Sequence, residues 1–109
     1  MKGLPLSRAA SGLVRALLAR SGKDRDRILL SEVRSVDWQS LTFTGERHVI
    51  SLRIVEPDAA AIAARLTAGL EHAEFEVAGH IVADIEAKAP HTTADKSVLV
   101  VIEALTLCA

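Results

Sequence analysis

Five side chains have the types from which sites are usually built: Arg47, His48, His80, Asp84 and Glu86. Imidazole and carboxylate together bind Zn, Mn or Fe, and two histidines with one carboxylate form a known facial metal arrangement. The same groups serve as general acid and base when burial or a neighbouring charge separates their pKa values. His80, Asp84 and Glu86 lie at alternate positions of GHIVADIEA, residues 79–87, and a strand sends alternate side chains to one face.

Distance tests the metal reading. His80 and Asp84 stand four residues apart, roughly 13 Å along a strand at about 3.3 Å per residue. Two groups so placed cannot both ligate one ion at about 2 Å. Asp84 and Glu86, about 6.6 Å apart by the same rise, would need a histidine from a neighbouring strand. His48 has the parity of Ile50, Leu52 and Ile54, which turns it toward the core from a hairpin end. The simpler expectation is a solvated strand face in which an arginine, Arg47 or Arg53, meets Asp84, Glu86 or Glu103 across strands. No metal and no cofactor are assigned. Arg47, His48, His80, Asp84 and Glu86 stand as candidates for a small-ligand or metal-dependent function.

Sequence templates of enzymes are absent. The six glycines are scattered, and neither G-x-G-x-x-G nor G-x-x-x-x-G-K-[ST] occurs. There is no G-x-S-x-G elbow and no H-E-x-x-H helix. Cys108, the single cysteine, forms no internal disulfide, builds no Cys-based zinc site by itself, and has no evident activating neighbour. A reducing, cytoplasmic setting is the expectation. Arg47 and His48 follow Gly45 and Glu46 in a polar cluster, a composition that suits either a solvated turn or a functional loop.

The elements that must position these residues are read from periodicity. Leu6, Ala10, Leu13, Val14, Leu17 and Leu18 form one stripe of an N-terminal helix over about residues 7–20, with Arg8 and Arg15 opposite. Ser7, after Pro5, is its expected cap; Arg20 and Gly22 suit its end. SGKDRDR reads as a solvated loop. In ILLSEVRSVDWQSLTF, Val36 and Trp38 have one parity and Leu41 and Phe43 the other, which predicts a β-bulge near Gln39–Ser40. TGER, residues 44–47, reads as a hairpin turn with Gly45 at positive φ. HVISLRIVE follows as a strand.

A second helix is predicted over about 57–71, with Pro57 at its first position and Ala59, Ile62, Ala63, Leu66 and Leu70 buried. From Glu74 to Lys88 alternation predicts one strand, with Phe75, Val77, Ile81, Ala83, Ile85 and Ala87 toward the core. KAPHTTADK reads as a loop. The final strand, SVLVVIEALTLCA, is apolar on both faces, with Leu99, Val101, Leu105 and Leu107 on one of them. Such strands lie where both faces of a sheet are covered. One helix covers the first face; the other needs the N-terminal helix or a second subunit.

The fold class expected is α+β: an N-terminal helix followed by β-β-α-β-β, a mainly antiparallel four-stranded sheet with a helix on one face. The 109 residues suit one domain over 1–109. Half the chain is apolar and a quarter charged, which excludes a disordered chain. No apolar run reaches about 18 residues, so no integral membrane segment is expected. Three aromatics, Trp38, Phe43 and Phe75, are too few for a base-stacking platform, which makes nucleic acid an unfavoured partner. Charge is uneven: residues 1–23 carry Lys2, Arg8, Arg15, Arg20 and Lys23 with no acid, while the remainder holds all fourteen acids against eight basic residues.

That basic leader admits a transit peptide, a contact for anionic lipid or nucleic acid, or a structural helix with solvated arginines. The functional expectation is a small non-enzymatic module that forms a homo-oligomer, a dimer, or binds a protein partner. Its interface candidates are Trp38, Leu99, Val101, Leu105, Leu107, Leu13 and Leu17.

Overall fold

The computed structural model describes residues 6–109; Lys2 of the basic leader and Pro5 before the helix cap lie outside the described residues. Helix α1, Arg8–Arg20, begins where Ser7 accepts a hydrogen bond from the Ala10 amide, the expected cap chemistry. Its apolar stripe is buried through Ala9, Ala10, Leu13, Val14 and Leu17. Gly22, at φ 56, takes the left-handed backbone just beyond the helix end. Residues Gly22–Arg27 then form a 3-10 segment rather than a plain loop. Asp24 in it holds Arg65 of the second helix by two hydrogen bonds of 3.0 and 3.1 Å.

Strands β1, Ile28–Gln39, and β2, Thr44–Ile54, pair antiparallel. The turn between them is Ser40–Phe43 and not TGER. Ser40 closes it, accepting from the amides of Thr42 and Phe43 through its hydroxyl at 3.3 and 3.0 Å, a local competition with ladder bonds that short hydroxyl side chains favour. Leu41 and Phe43 are therefore exposed turn residues, so the change of parity that suggested a bulge at Gln39–Ser40 is the turn itself. The bulge in this hairpin sits at Ser31, where pairing jumps between Leu30 and Glu32.

Helix α2, Ala59–Thr67, is shorter than expected. Asp58 before it is left-handed at φ 66, which leaves Pro57 outside the helix. Gly69, at φ 64, separates it from a 3-10 turn over Leu70–His72. All five predicted core positions, Ala59, Ile62, Ala63, Leu66 and Leu70, are buried. Strand β3 is confined to His80–Ala87, β4 is the short His91–Thr92, and β5 is Val98–Cys108. Residues 73–79 are irregular: Gly79 has φ 76, and Val77 folds back against α1 at Gly12. There an added Cβ would stand 2.8 Å from the Val77 side chain, so glycine permits the close approach.

The sheet runs β1-β2-β5-β3, with β4 also pairing β5, all antiparallel. The expected four rows are present, the fourth divided between β3 and β4. Both helices lie on one face. Leu13, Leu17, Ile62 and Leu66 pack with Ile50, Leu52, Ile54, Val100 and Ile102 in one buried cluster. Arg20 fastens α1 to α2 by donating from Nε to the Leu66 carbonyl at 3.0 Å and from its terminal nitrogen to that of Ala68. Leu13 and Leu17, read as interface candidates, are fully buried within the chain, because α1 fills the groove beside α2 on the same face.

Candidate functional site

Register decides which candidate residues meet. His48 of β2 stands opposite Ser35 of β1 and Ala104 of β5 and is only 1 % exposed. Its Nδ1 lies 2.7 Å from the Ser35 hydroxyl and its Nε2 2.8 Å from that of Thr106. Each hydroxyl both donates and accepts, so a neutral imidazole is satisfied in either tautomer. Burial holds the ring's pKa below its ordinary 6.5, with Glu46 opposing the shift and His80 adding to it. Out of reach of solvent and without a carboxylate partner, His48 serves the core. The pairing of Ser35 and Thr106 with it escaped the sequence reading, since it requires the register of three strands.

His80, Asp84 and Glu86 do not share a face. Pairing of β3 with β5 jumps between Val82 and Asp84, leaving Ala83 as a bulge residue. His80, Val82, Ile85 and Ala87 therefore pair with Cys108, Thr106, Ala104 and Ile102 on the helix side, while Ile81, Asp84 and Glu86 pair with Leu107, Leu105 and Glu103 on the opposite side. Ile81, expected in the core, is 53 % exposed, and Ile85 is buried. Among the described residues, no group of three or more His, Cys, Asp or Glu is placed to hold a metal ion.

His80 instead borders a pocket of about 350 Å3 at the end of the sheet, with Asp37, Glu46 and Cys108. Its Nδ1 lies 3.0 Å from the Ala78 carbonyl. Glu46 there accepts from the Ser7 hydroxyl at 2.8 Å, which joins this end of β2 to the cap of α1.

The expected arginine does not come to Asp84 or Glu86. Glu103 stands directly opposite Glu86, and Lys88 bridges the two at 3.6 and 3.5 Å. Arg53 turns to the loop after β4, donating to Asp95 and Ser97 at 3.0 Å each. Asp95 also accepts from the Ser97 amide and from the hydroxyls of Ser97 and Thr93; these hydrogen bonds, more than Arg53, hold its carboxyl far below the usual carboxylate range. Arg47 and Asp84 make no ion pair among the described residues.

What remains is the face of the sheet that no helix covers. On it β5 presents Leu99, Val101, Leu105 and Leu107, each only partly exposed beneath its neighbours. Trp38 joins them from β1, with Leu29, Val36 and Ile81, which are 51, 62 and 53 % exposed. Ile81 was missed because the bulge at Ala83 reverses its parity, and Leu29 and Val36 because exposure at an edge strand leaves no mark in the sequence. No family model, curated protein or solved structure matches the chain. The face is therefore interpreted from its own chemistry: apolar along the middle and charged on both flanks, with Trp38 and Gly45 at one end also bordering the pocket of about 350 Å3.

Proposed function

We propose that the chain is a small non-enzymatic module that associates, with itself or with a protein partner, through the open face of its sheet. One observation carries this reading. Both helices lie against the same side, so the second apolar row of β5, Leu99, Val101, Leu105 and Leu107, has no cover within the described chain. An apolar row of this kind at the centre of a sheet is characteristic of surfaces that meet another protein.

The rival reading built on His80, Asp84 and Glu86 needs one shared face, and the register distributes them over two. A helix lying in a lipid surface buries its apolar face there, and Leu13 and Leu17 of α1 are in the core; no described helix is long and apolar enough to cross a membrane.

Sedimentation velocity on the full chain from 1 to about 100 µM tests the proposal. A concentration-dependent dimer that Leu105→Asp converts to a folded monomer is the expected result. A wild-type chain that stays monomeric over this range would remove self-association.

A further inference from the structure

We infer that the occupant of the open face is a second copy of this chain, laid face to face about a two-fold axis running along the strands, so that the β1–β2 half of each sheet covers the β5–β3 half of the other. This rests on the association reading above and specifies its partner and geometry.

The charges of the face are divided between its halves. Arg34, Arg47 and Arg53 lie on β1 and β2 with one acid, Glu32, whereas Asp84, Glu86 and Glu103 lie on β3 and β5 with one base, Lys88, just beyond β3. The first half is therefore net basic and the second net acidic. The register orders them in rungs. Arg34, Val49, Glu103 and Glu86 form one, and Val36, Arg47, Leu105 and Asp84 the next. An axis along the strands, between β2 and β5, keeps each rung opposite itself but reverses its order. Arg34, which pairs with Glu32 at 3.4 Å within the chain, then faces the second copy's Glu86, itself paired with Lys88 at 3.6 Å, so the pair left for the interface to satisfy is Arg47 with Asp84. Arg47 lies over the second copy's Leu105, within a long side chain's reach of Asp84 beside it. Those two residues, Arg47 and Asp84, make no ion pair within the described chain.

Shape follows the same operation. In the rung of Trp38, Gly45, Leu107 and Ile81, reversal sets Trp38 over Ile81 and Leu107 over Gly45, large over small.

Other arrangements fit worse. An axis across the strands would lay each strand on its own copy, so that β3 with Asp84 and Glu86 covers β3 and β5 with Glu103 covers β5, and like charges in a desolvated contact cost binding. Edge-to-edge pairing is opposed at both ends of the sheet, because β1 carries a bulge at Ser31 and β3 one at Ala83, and edge bulges block strand addition. Size is adequate. Four strands of about ten residues present roughly 600 Å2 of flat area, to which side-chain relief adds, and a standard interface takes about 800 Å2 of accessible surface from each partner.

A charge swap tests the geometry. Arg47→Glu and Asp84→Arg each place like charges together twice per homodimer, and each should weaken dimerisation at least about tenfold. An equimolar mixture of the two variants restores both pairs in a heterodimer and should sediment as dimer where each variant alone is monomer. Both positions are exposed, and circular dichroism checks that the variants fold. If the wild-type chain is a dimer that Leu105→Asp dissociates, yet neither swap weakens it or the mixture fails to recover, this orientation is overturned while association through the face stands. A dimer unaffected by Leu105→Asp overturns the use of the face. A wild-type monomer overturns the second copy as occupant and, with it, self-association.

Discussion

At the scale of single residues, His48 shows how little a chemically capable side chain reveals outside its surroundings. Parity in HVISLRI was sufficient to send it inward, and it lies there at 1 % exposure. Its two hydroxyl partners make it a polar core residue. Burial keeps its folded pKa below 6.5, so near and below that pH the unfolded chain binds a proton that the folded chain does not. Stability is therefore full above about pH 6.5 and falls as pH drops through it toward the folded value. His48→Gln should flatten this slope, measured as the difference in urea-unfolding free energy between pH 7.5 and 5.5; an unchanged slope would contradict the assignment. His48→Ala should also cost about 2–4 kcal/mol at pH 7.5, because it leaves a cavity and strips the buried Thr106 hydroxyl of its partner.

At the scale of elements, the two hairpin regions differ in how legible they were. The helices announced their core faces because 3.6-residue periodicity survives small errors at the ends, and every apolar position expected of α2 is buried. Strands are less forgiving. A single bulge reverses parity, and the bulge at Ala83 set Ile81 on the open face and His80 and Val82 on the helix side, the reverse of their expected placement, while Asp84, Ile85, Glu86 and Ala87 kept theirs. Gly45 misled in another way: it suggests a turn, yet it sits inside β2 opposite Trp38 and Leu107. Its lack of a side chain answers to packing, since a Cβ there would stand 2.0 Å from the Thr106 carbonyl oxygen. Gly45→Ala should destabilise the chain by about 1–3 kcal/mol through a forced separation of β2 and β5, read as a lower thermal midpoint. A neutral substitution would show that the ladder there yields freely.

At the scale of the whole molecule, the two faces of the sheet have different roles, and substitutions should separate them. Leu17, fully buried on the inner face of α1, contributes within the chain: Leu17→Ala should cost about 2–5 kcal/mol at any protein concentration. Leu105, on the open face, contributes through association. Leu105→Asp should leave monomer stability nearly unchanged and abolish the rise of thermal midpoint with protein concentration that a dimer confers. Thermal unfolding at 2 and 100 µM distinguishes the two. A concentration-independent wild-type midpoint, or a large loss from Leu105→Asp at low concentration, would place Leu105 in the intrachain core instead.

The sequence by itself determined the α+β class, the order of the major elements, the buried stripes of both helices and the doubly apolar last strand. These are local periodicities, written in residues a few positions apart. Tertiary structure alone decided that both helices share one face, that His80 parts from Asp84 and Glu86, that Lys88 and not an arginine answers Glu86 and Glu103, and that Arg47 and Asp84 stand in one rung. Each of these depends on the register between strands distant in sequence, and register is fixed by bulges and close contacts that periodicity does not contain.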